Sequence, residues 1–319
     1  MEKLTRQFYE LQYELRFRSA HGEAFQDFFS DAMELRYPAD FQRVRPWGNL
    51  GDRKNDGYLK SERKLFQVYG PKGIEIAKTL AKINEDFLEA KPYWTAYFDN
   101  WIFVHNDPDG IAADVLHLLQ ELETTHSPIK TGQWGKAELR DVVFALTEPN
   151  VMKLLGAPVS LRDVQNVAVT DLQPILARIA KQSALPEAEI RPVPADKLAA
   201  NLLSDSVAML LRAGMGKSDL VKRCFEQNAD PMLGDRVAAT FREKYDSLKA
   251  EHNEPDVIFQ ELMVFTTGST FGGTADHQAA SLAVLAYLFE SCDIFERPPT
   301  ADDSSLADAP ALPSTDETP

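Results

Sequence analysis

The chain has 319 residues, 44% of them apolar, with 49 acidic against 34 basic side chains and a net charge of −15. That mix describes a folded globular protein of one large or two ordinary domains rather than a disordered chain. Its longest apolar runs fall short of the ~20 residues of a membrane span, and uniform basicity, the usual footprint of a nucleic-acid binder, is absent.

The N-terminal stretch MEKLTRQFYELQYELRFR is charged throughout and has no apolar signal core, which argues against secretion. Leu4, Phe8, Leu11 and Leu15 recur at helical steps, as do Phe25, Phe28, Phe29 and Met33 after Gly22, and Pro38 stops the second helix. Residues 41–45 alternate, and 47–52 read as a loop. Short strands are expected over 57–60 and 64–69, joined by Ser61-Glu62-Arg63, and a helix over 74–88 follows Pro71 and Gly73. The run WIFVH at 101–105 reads as a buried, central, parallel strand. A helix over 111–122, a short strand at 128–131 and short helices over 136–146 and 151–155 complete an α/β domain on a small mixed sheet.

After Gly156-Ala157-Pro158 the pattern becomes helical: 171–182, 195–212, 217–227, 234–251, 255–267 and 275–290, with a weak strand candidate at 189–193. The expected organisation is an α/β domain over 1–157, an all-α domain over 158–296 and a disordered acidic tail over 297–319. Cys224 and Cys292 form no metal or redox spacing and read as cytosolic thiols.

Charge is uneven along the chain. Between Arg36 and Lys78 ten Lys/Arg face five Asp/Glu, about +5 in an otherwise acidic chain, whereas the tail after Arg297 carries five acids and no base. Arg43, Arg45, Arg53, Lys54 and Lys72 in the basic segment are candidate phosphate contacts, with a solvated charged face as the plain alternative.

The most informative stretch is GDRKNDGYLKSERKLFQVY at 51–69. On a strand, 65, 67 and 69 face one way and 64, 66 and 68 the other. With Asp56 at the end of the adjacent hairpin strand, Asp56 and Gln67 converge on one face. A carboxylate and an amide oxygen with waters suit a hard cation such as Mg²⁺. Other motifs are weaker. Gly214-Met215-Gly216-Lys217-Ser218 lacks the first glycine of a phosphate loop, since 211 is Leu, and reads as a helix–helix turn with Ser218 as N-cap. His105, with Asn106 and Asp107 at a strand end, reads as structural, or as a phosphate-polarising group. His277 reads as a capping or packing group, and residues 266–273 as a flexible loop.

These residues resemble the PD-(D/E)xK restriction-endonuclease-like superfamily in its Mrr-like form. The matching residues are Gly22-Glu23-Ala24-Phe25-Gln26 on the first motif, Gly51 to Gly57 on GDxxxDG, and Gln67-Val68-Tyr69 on QxK. The resemblance implies an αβββαβ core over roughly 22–131, with Asp56 as principal metal ligand, Gln67 as second ligand, Gln26 or Glu23 as an auxiliary group, and Mg²⁺ or Mn²⁺ as cofactor. Tyr69 stands where the family has its lysine, and a phenol with a pKa near 10 supplies no positive charge. FQVYGP at 66–71 and Cys292 to Glu296 also resemble segments of bacterial ABC three-component conflict systems. That resemblance implies an effector of defence against invading DNA, in the cytoplasm, with an ABC ATPase and a small middle component as partners. DNA contact would then be confined to 36–78, and the oligomeric state stays open. The competing expectation is an interaction protein without chemistry, in which the α/β module docks and the helical half recruits.

Overall fold

The structure is a computed structural model that describes residues 1–44, 54–182, 197–252, 254–268, 274–291 and 294–295. Expectations for Arg45, Trp47, Asp52, Arg53, the 189–193 strand, residues 269–273, Cys292 and the 297–319 tail lie outside the described residues. The chain divides into two compact units, Met1–Pro158 and Val159–Pro319.

The first unit runs α1 (Lys3–Ser19), α2 (Glu23–Arg36), β1 (Phe41–Arg43), β2 (Gly57–Leu59), β3 (Lys64–Tyr69), α3 (Ile76–Trp94), β4 (Asn100–His105), α4 (Ala113–Thr125), β5 (Lys130–Trp134), α5 (Lys136–Phe144) and α6 (Glu148–Leu155). The sheet order is β1-β2-β3-β4-β5. The first three strands form an antiparallel meander, and β3, β4 and β5 are parallel. Each parallel step contains a helix because parallel neighbours need a crossover connection.

Strand parity sorts the side chains into two layers. Phe66, Val68, Ile102 and Val104 pack with Phe25, Phe28 and Phe29 of α2 and with Leu139 and Val143 of α5. Leu65, Trp101 and Phe103 pack instead with Ile83 and Phe87 of α3 and Val115 and Leu119 of α4. Helices thus cover both faces of the sheet, which is why β4 reads as an unbroken apolar run. Aromatic rings fill the first layer: Phe29, Phe66 and Trp134 form a cluster with centroids 5.3 Å (Phe29–Phe66), 5.0 Å (Phe66–Trp134) and 6.4 Å (Phe29–Trp134) apart.

Several bounds shift from the sequence reading, among them the start of α6, at Glu148 rather than 151, and most of all those of β5 and α3. β5 begins at Lys130 and runs to Trp134 rather than over 128–131, because its pairing with β4 registers Asn100 on Lys130 and Val104 on Trp134. α3 continues past Leu88 to Trp94, with Pro92 in its last turn. A proline there removes one N–H and leaves the body of the helix intact.

The second unit is helical: α7 (Leu161–Asn166), α8 (Val169–Ala180), α9 (Lys197–Ala200), α10 (Asp205–Met215), α11 (Ser218–Glu226), α12 (Leu233–Glu251), α13 (Pro255–Thr267) and α14 (Ala275–Glu290). α14 is apolar around its circumference, as a helix packed on all sides must be, and is buried from Gln278 through Ala286 and again at Leu288 and Phe289. It meets α7, α8, α10, α11 and α13.

The single helix expected over 195–212 is broken. Leu202 adopts φ 52°, and the Ser204 hydroxyl accepts the Val207 N–H at 3.3 Å to open α10. Ser218 is the first helical residue of α11 rather than its cap; Lys217 occupies the cap position, and the Ser218 hydroxyl donates to the Glu290 carboxylate. Gly214 lies inside α10, where a Cβ would come within 2.7 Å of the Ala286 Cβ. It is a close-approach residue between α10 and α14, not part of a turn.

Candidate functional site

The geometry begins at the entry to β2. Asn55 is fully buried, and its Oδ1 accepts the Gly57 N–H at 2.9 Å, turning the chain into the strand. Position 57 requires glycine, since a Cβ would sit 2.3 Å from the Phe41 ring. Asp56 then donates its N–H to Phe66 O at 3.0 Å and accepts the Val68 N–H on Oδ2 at 2.7 Å. These two bonds bracket Gln67, so Asp56 lies across from it. Both side chains are buried, at 7% and 4% exposure, and Gln67 Oε1 has no hydrogen-bond partner among the described residues.

α2 approaches the same point from the other layer. Gly22, at φ 55°, donates its N–H to Gly70 O, and Gln26 Nε2 reaches Val68 O at 3.4 Å. Asp56 therefore holds the N–H of Val68 and Gln26 reaches its carbonyl. Glu23 is exposed in the first turn of α2. Tyr69 is half-buried and lines a cavity of about 390 Å³ at the carboxyl ends of β3 and β4, which also touches Ile76, Phe103, His105, Asn106 and Ile111. Gln67 and Asp56 are not on its lining.

His105 in this cavity has both ring nitrogens engaged. Nε2 donates to Gln133 Oε1 at 2.8 Å, and Nδ1 accepts the Asp107 N–H at 3.2 Å. Burial pushes its pKa below the ordinary imidazole value, so the ring is neutral near pH 7. Asn106, 5% exposed, donates from Nδ2 to Ala20 O and Pro71 O and contacts His21 Nδ1, tying the ends of β3, β4 and α1 together. An Asn at a strand end is the sole trace of this hub in the sequence.

The basic segment is largely neutralised within its own unit. Arg43 pairs with Asp27 at 3.2 Å, with Glu34 at 3.1 Å and with Asp31. Lys54, at φ 57°, pairs with Glu85 at 2.6 Å, Asp86 at 3.2 Å and Glu89 at 3.6 Å. The hydrogen bond to Glu85, followed by Asp86, holds the Lys54 ammonium protonated well above its usual range despite desolvation. Asp86 is fully buried and also receives Lys82 at 2.8 Å. Lys72 is exposed just after Pro71. Among the described residues no three His, Cys, Asp or Glu side chains gather as a metal cluster, and no helix is long and apolar enough to cross a membrane.

In the helical unit, His277 Nε2 lies 3.0 Å from Thr267 O while Thr274 caps α14, so the histidine packs onto the end of α13. Cys224 is a buried free thiol whose pKa burial pushes up.

Residues 170–296 match C-terminal domain 10 (CTD10) of the ABC-three component (ABC-3C) systems. The match falls within the helical unit and leaves the α/β unit uncovered. That likeness supports a component of an ABC-3C system, a defence-system association, and partnership with the other components of such a system. No curated protein and no solved structure matches the chain.

Proposed function

We propose that the chain is the effector of an ABC-3C defence system, acting in the cytoplasm beside an ABC ATPase and a middle component. Its N-terminal unit would be a restriction-endonuclease-like module that hydrolyses phosphodiesters. The succession α2-β1-β2-β3-α3-β4, an antiparallel meander followed by a parallel strand, follows the αβββαβ order of that family. The observation that carries the reading is the Gln67 amide oxygen, buried without a partner across from the Asp56 carboxylate. A buried acceptor left open calls for a ligand. One carboxylate and one amide oxygen suit Mg²⁺ or Mn²⁺, which keep several waters and bind through few protein oxygens.

Asp56 and Gln67 would hold that cation, with Gln26 fixing the Val68 peptide between them. When bound, the cation supplies charge stabilisation for a phosphodiester and acidifies an attacking water. Tyr69 offers a neutral hydroxyl in place of the family's lysine, able to hydrogen-bond a phosphate or water but not to contribute charge. DNA would be met through the 36–78 segment.

The test is cleavage of linear, circular and single-stranded DNA by the full chain with its partner components and Mg²⁺ or Mn²⁺. Asp56→Ala is expected to abolish cutting and leave partner binding intact; absence of cutting by the wild type on all three substrates refutes the reading. A second reading, a docking module without chemistry, draws on Tyr69 in the lysine's place and on the capture of Arg43 and Lys54 by carboxylates.

A further inference from the structure

The cavity that Tyr69 lines does not reach Asp56 or Gln67 and shares only Tyr69 with the proposed cation site. It opens at the carboxyl ends of two parallel strands, the place where open α/β sheets receive ligands. At about 390 Å³ it has the size of a small-molecule site.

Its composition narrows the ligand. The β3 and β4 side carries a row of rings. Tyr69 and Phe103 lie 6.1 Å apart with planes 35° from parallel, and Phe103 and His105 lie 6.3 Å apart at 20°. Phe103 and His105 are buried, at 1% and 5% exposure, and back the half-buried Tyr69, whose ring is the one open to stack on a planar group. His105 joins the row as a neutral ring, for the burial reason given above. Ile74 and Ile76 also line the cavity yet keep 45% and 46% of their surface exposed. Large apolar side chains left this open at a cavity mouth mark surface for a ligand to cover.

The polar groups are mostly acceptors. Two backbone carbonyls on the Asn106 amide nitrogen fix which end of that side chain is oxygen. Asp107 contributes a carboxylate, one oxygen of which takes the Asp109 N–H. The Tyr69 hydroxyl has no hydrogen bond among the described residues. No Lys or Arg lines the cavity. Such a site disfavours phosphate and favours a flat ring that donates hydrogen bonds from its edge.

We propose that this cavity binds a nucleobase bearing an exocyclic amino group, stacked on Tyr69 with its amino group toward Asn106 and Asp107. The base belongs either to a free nucleoside or to a single strand; the sugar and any phosphate lie outside the lining, on the side of the exposed Lys72. The inference does not depend on cleavage, and a chain that never cuts DNA leaves it standing.

The experiment is calorimetric titration of the full chain with adenosine, cytidine, guanosine and uridine, and with short oligodeoxyadenylate and oligothymidylate. Adenosine or another amino-bearing nucleoside is expected to bind with Kd on the order of 100 µM, and uridine at least about fivefold more weakly, as the loss of one buried hydrogen bond implies. Ile76→Trp, which fills the mouth from a half-exposed position, is expected to abolish binding while circular dichroism and melting stay those of the wild type. Tyr69→Ala is expected to weaken it about tenfold. Adenosine and oligodeoxyadenylate binding together identify a base within a strand as the source; adenosine alone identifies a free nucleoside. No saturable binding of any amino-bearing nucleoside at millimolar concentration overturns the proposal, as does uridine binding equally well or binding that survives Ile76→Trp.

Discussion

Asp56 offers a perturbation that separates a structural role from a chemical one. Its Oδ2 accepts the Val68 N–H at 2.7 Å in a site where Asp56 is 7% exposed. Asp56→Ala leaves that buried donor without its acceptor, at a cost of about 1–3 kcal/mol. For a unit of this size each kcal/mol moves Tm by about 2–4 °C, so a central value of about 2 kcal/mol lowers it by about 4–8 °C. Asp56→Asn keeps an oxygen for Val68 and should lose less than half as much. All four tryptophans, Trp47, Trp94, Trp101 and Trp134, lie in the first unit, so tryptophan fluorescence follows its melting without interference from the helical unit. Mg²⁺ at ten times its Kd should raise the wild-type Tm by the equivalent of about 1.4 kcal/mol and leave both variants unmoved. An Asp56→Ala chain melting within about 1 °C of wild type would refute the structural argument. A Mg²⁺ shift surviving in both variants would remove Asp56 from the cation site.

His105 sets a pH dependence. Burial holds its folded pKa below the ordinary value of about 6.5, so its neutral form supports the fold fully above that value. As pH falls below it the unfolded chain takes up the proton first, costing up to about 1.4 kcal/mol per pH unit until the folded value is reached. His105→Gln should flatten the fall of tryptophan-monitored Tm between pH 7 and 5; equal slopes would contradict the assignment. In the helical unit, Gly214→Ala puts a Cβ 2.7 Å from the Ala286 Cβ and 2.8 Å from Leu282 O. Overpacking of about 1–3 kcal/mol should exceed the helix-propensity gain of about 1 kcal/mol, lowering the urea midpoint seen by far-UV circular dichroism while the tryptophan transition stays put.

What could be read from the sequence followed local physics. WIFVH announces a strand covered on both faces, and α13 and α14 carry their own punctuation: Pro255 in the first turn, Gly268 in the left-handed C-cap and Thr274 as N-cap. Strand parity was enough to set Asp56 against Gln67 on paper. The break between α9 and α10 escaped because apolar periodicity runs through it, although Ser204-Asp205 is a capping signal on inspection. The cavity could not be read at all. Tyr69, Ile76, Asn106 and Ile111 meet there from separate elements of the chain, and no window of sequence contains that meeting. In the helical half, periodicity gives the helices, and Cys292 to Glu296 carries the resemblance to ABC three-component systems. The match of residues 170–296 to CTD10 supports that resemblance; no local physics of the sequence assigns the particular domain.

The charge of the 36–78 segment makes the same point about windows. Counted along the chain it is a basic island of about +5. In the fold its cations face acids from outside the window or at its margins: Asp27, Asp31 and Glu34 of α2 take Arg43, Glu85, Asp86 and Glu89 of α3 take Lys54, and Asp99 takes Arg63. Lys64 and Lys78 pair with Glu62 and Glu75 nearby. Helices α2 and α3 lie on opposite layers of the sheet, so the neutralisation comes from both sides. Arg43 and Lys54 act as struts that pin β1 and the entry to β2 onto their flanking helices. Breaking those clusters to reach a phosphate would take the cation away from three carboxylates in each case, although Asp86 keeps Lys82. Among the described residues of the segment, Arg36, Lys60 and Lys72 are the cations outside ion pairs, and only Lys72 adjoins the strand ends. A ligand held at those ends is therefore recognised mainly by the rings and acceptors of the cavity, with a single cation at its margin.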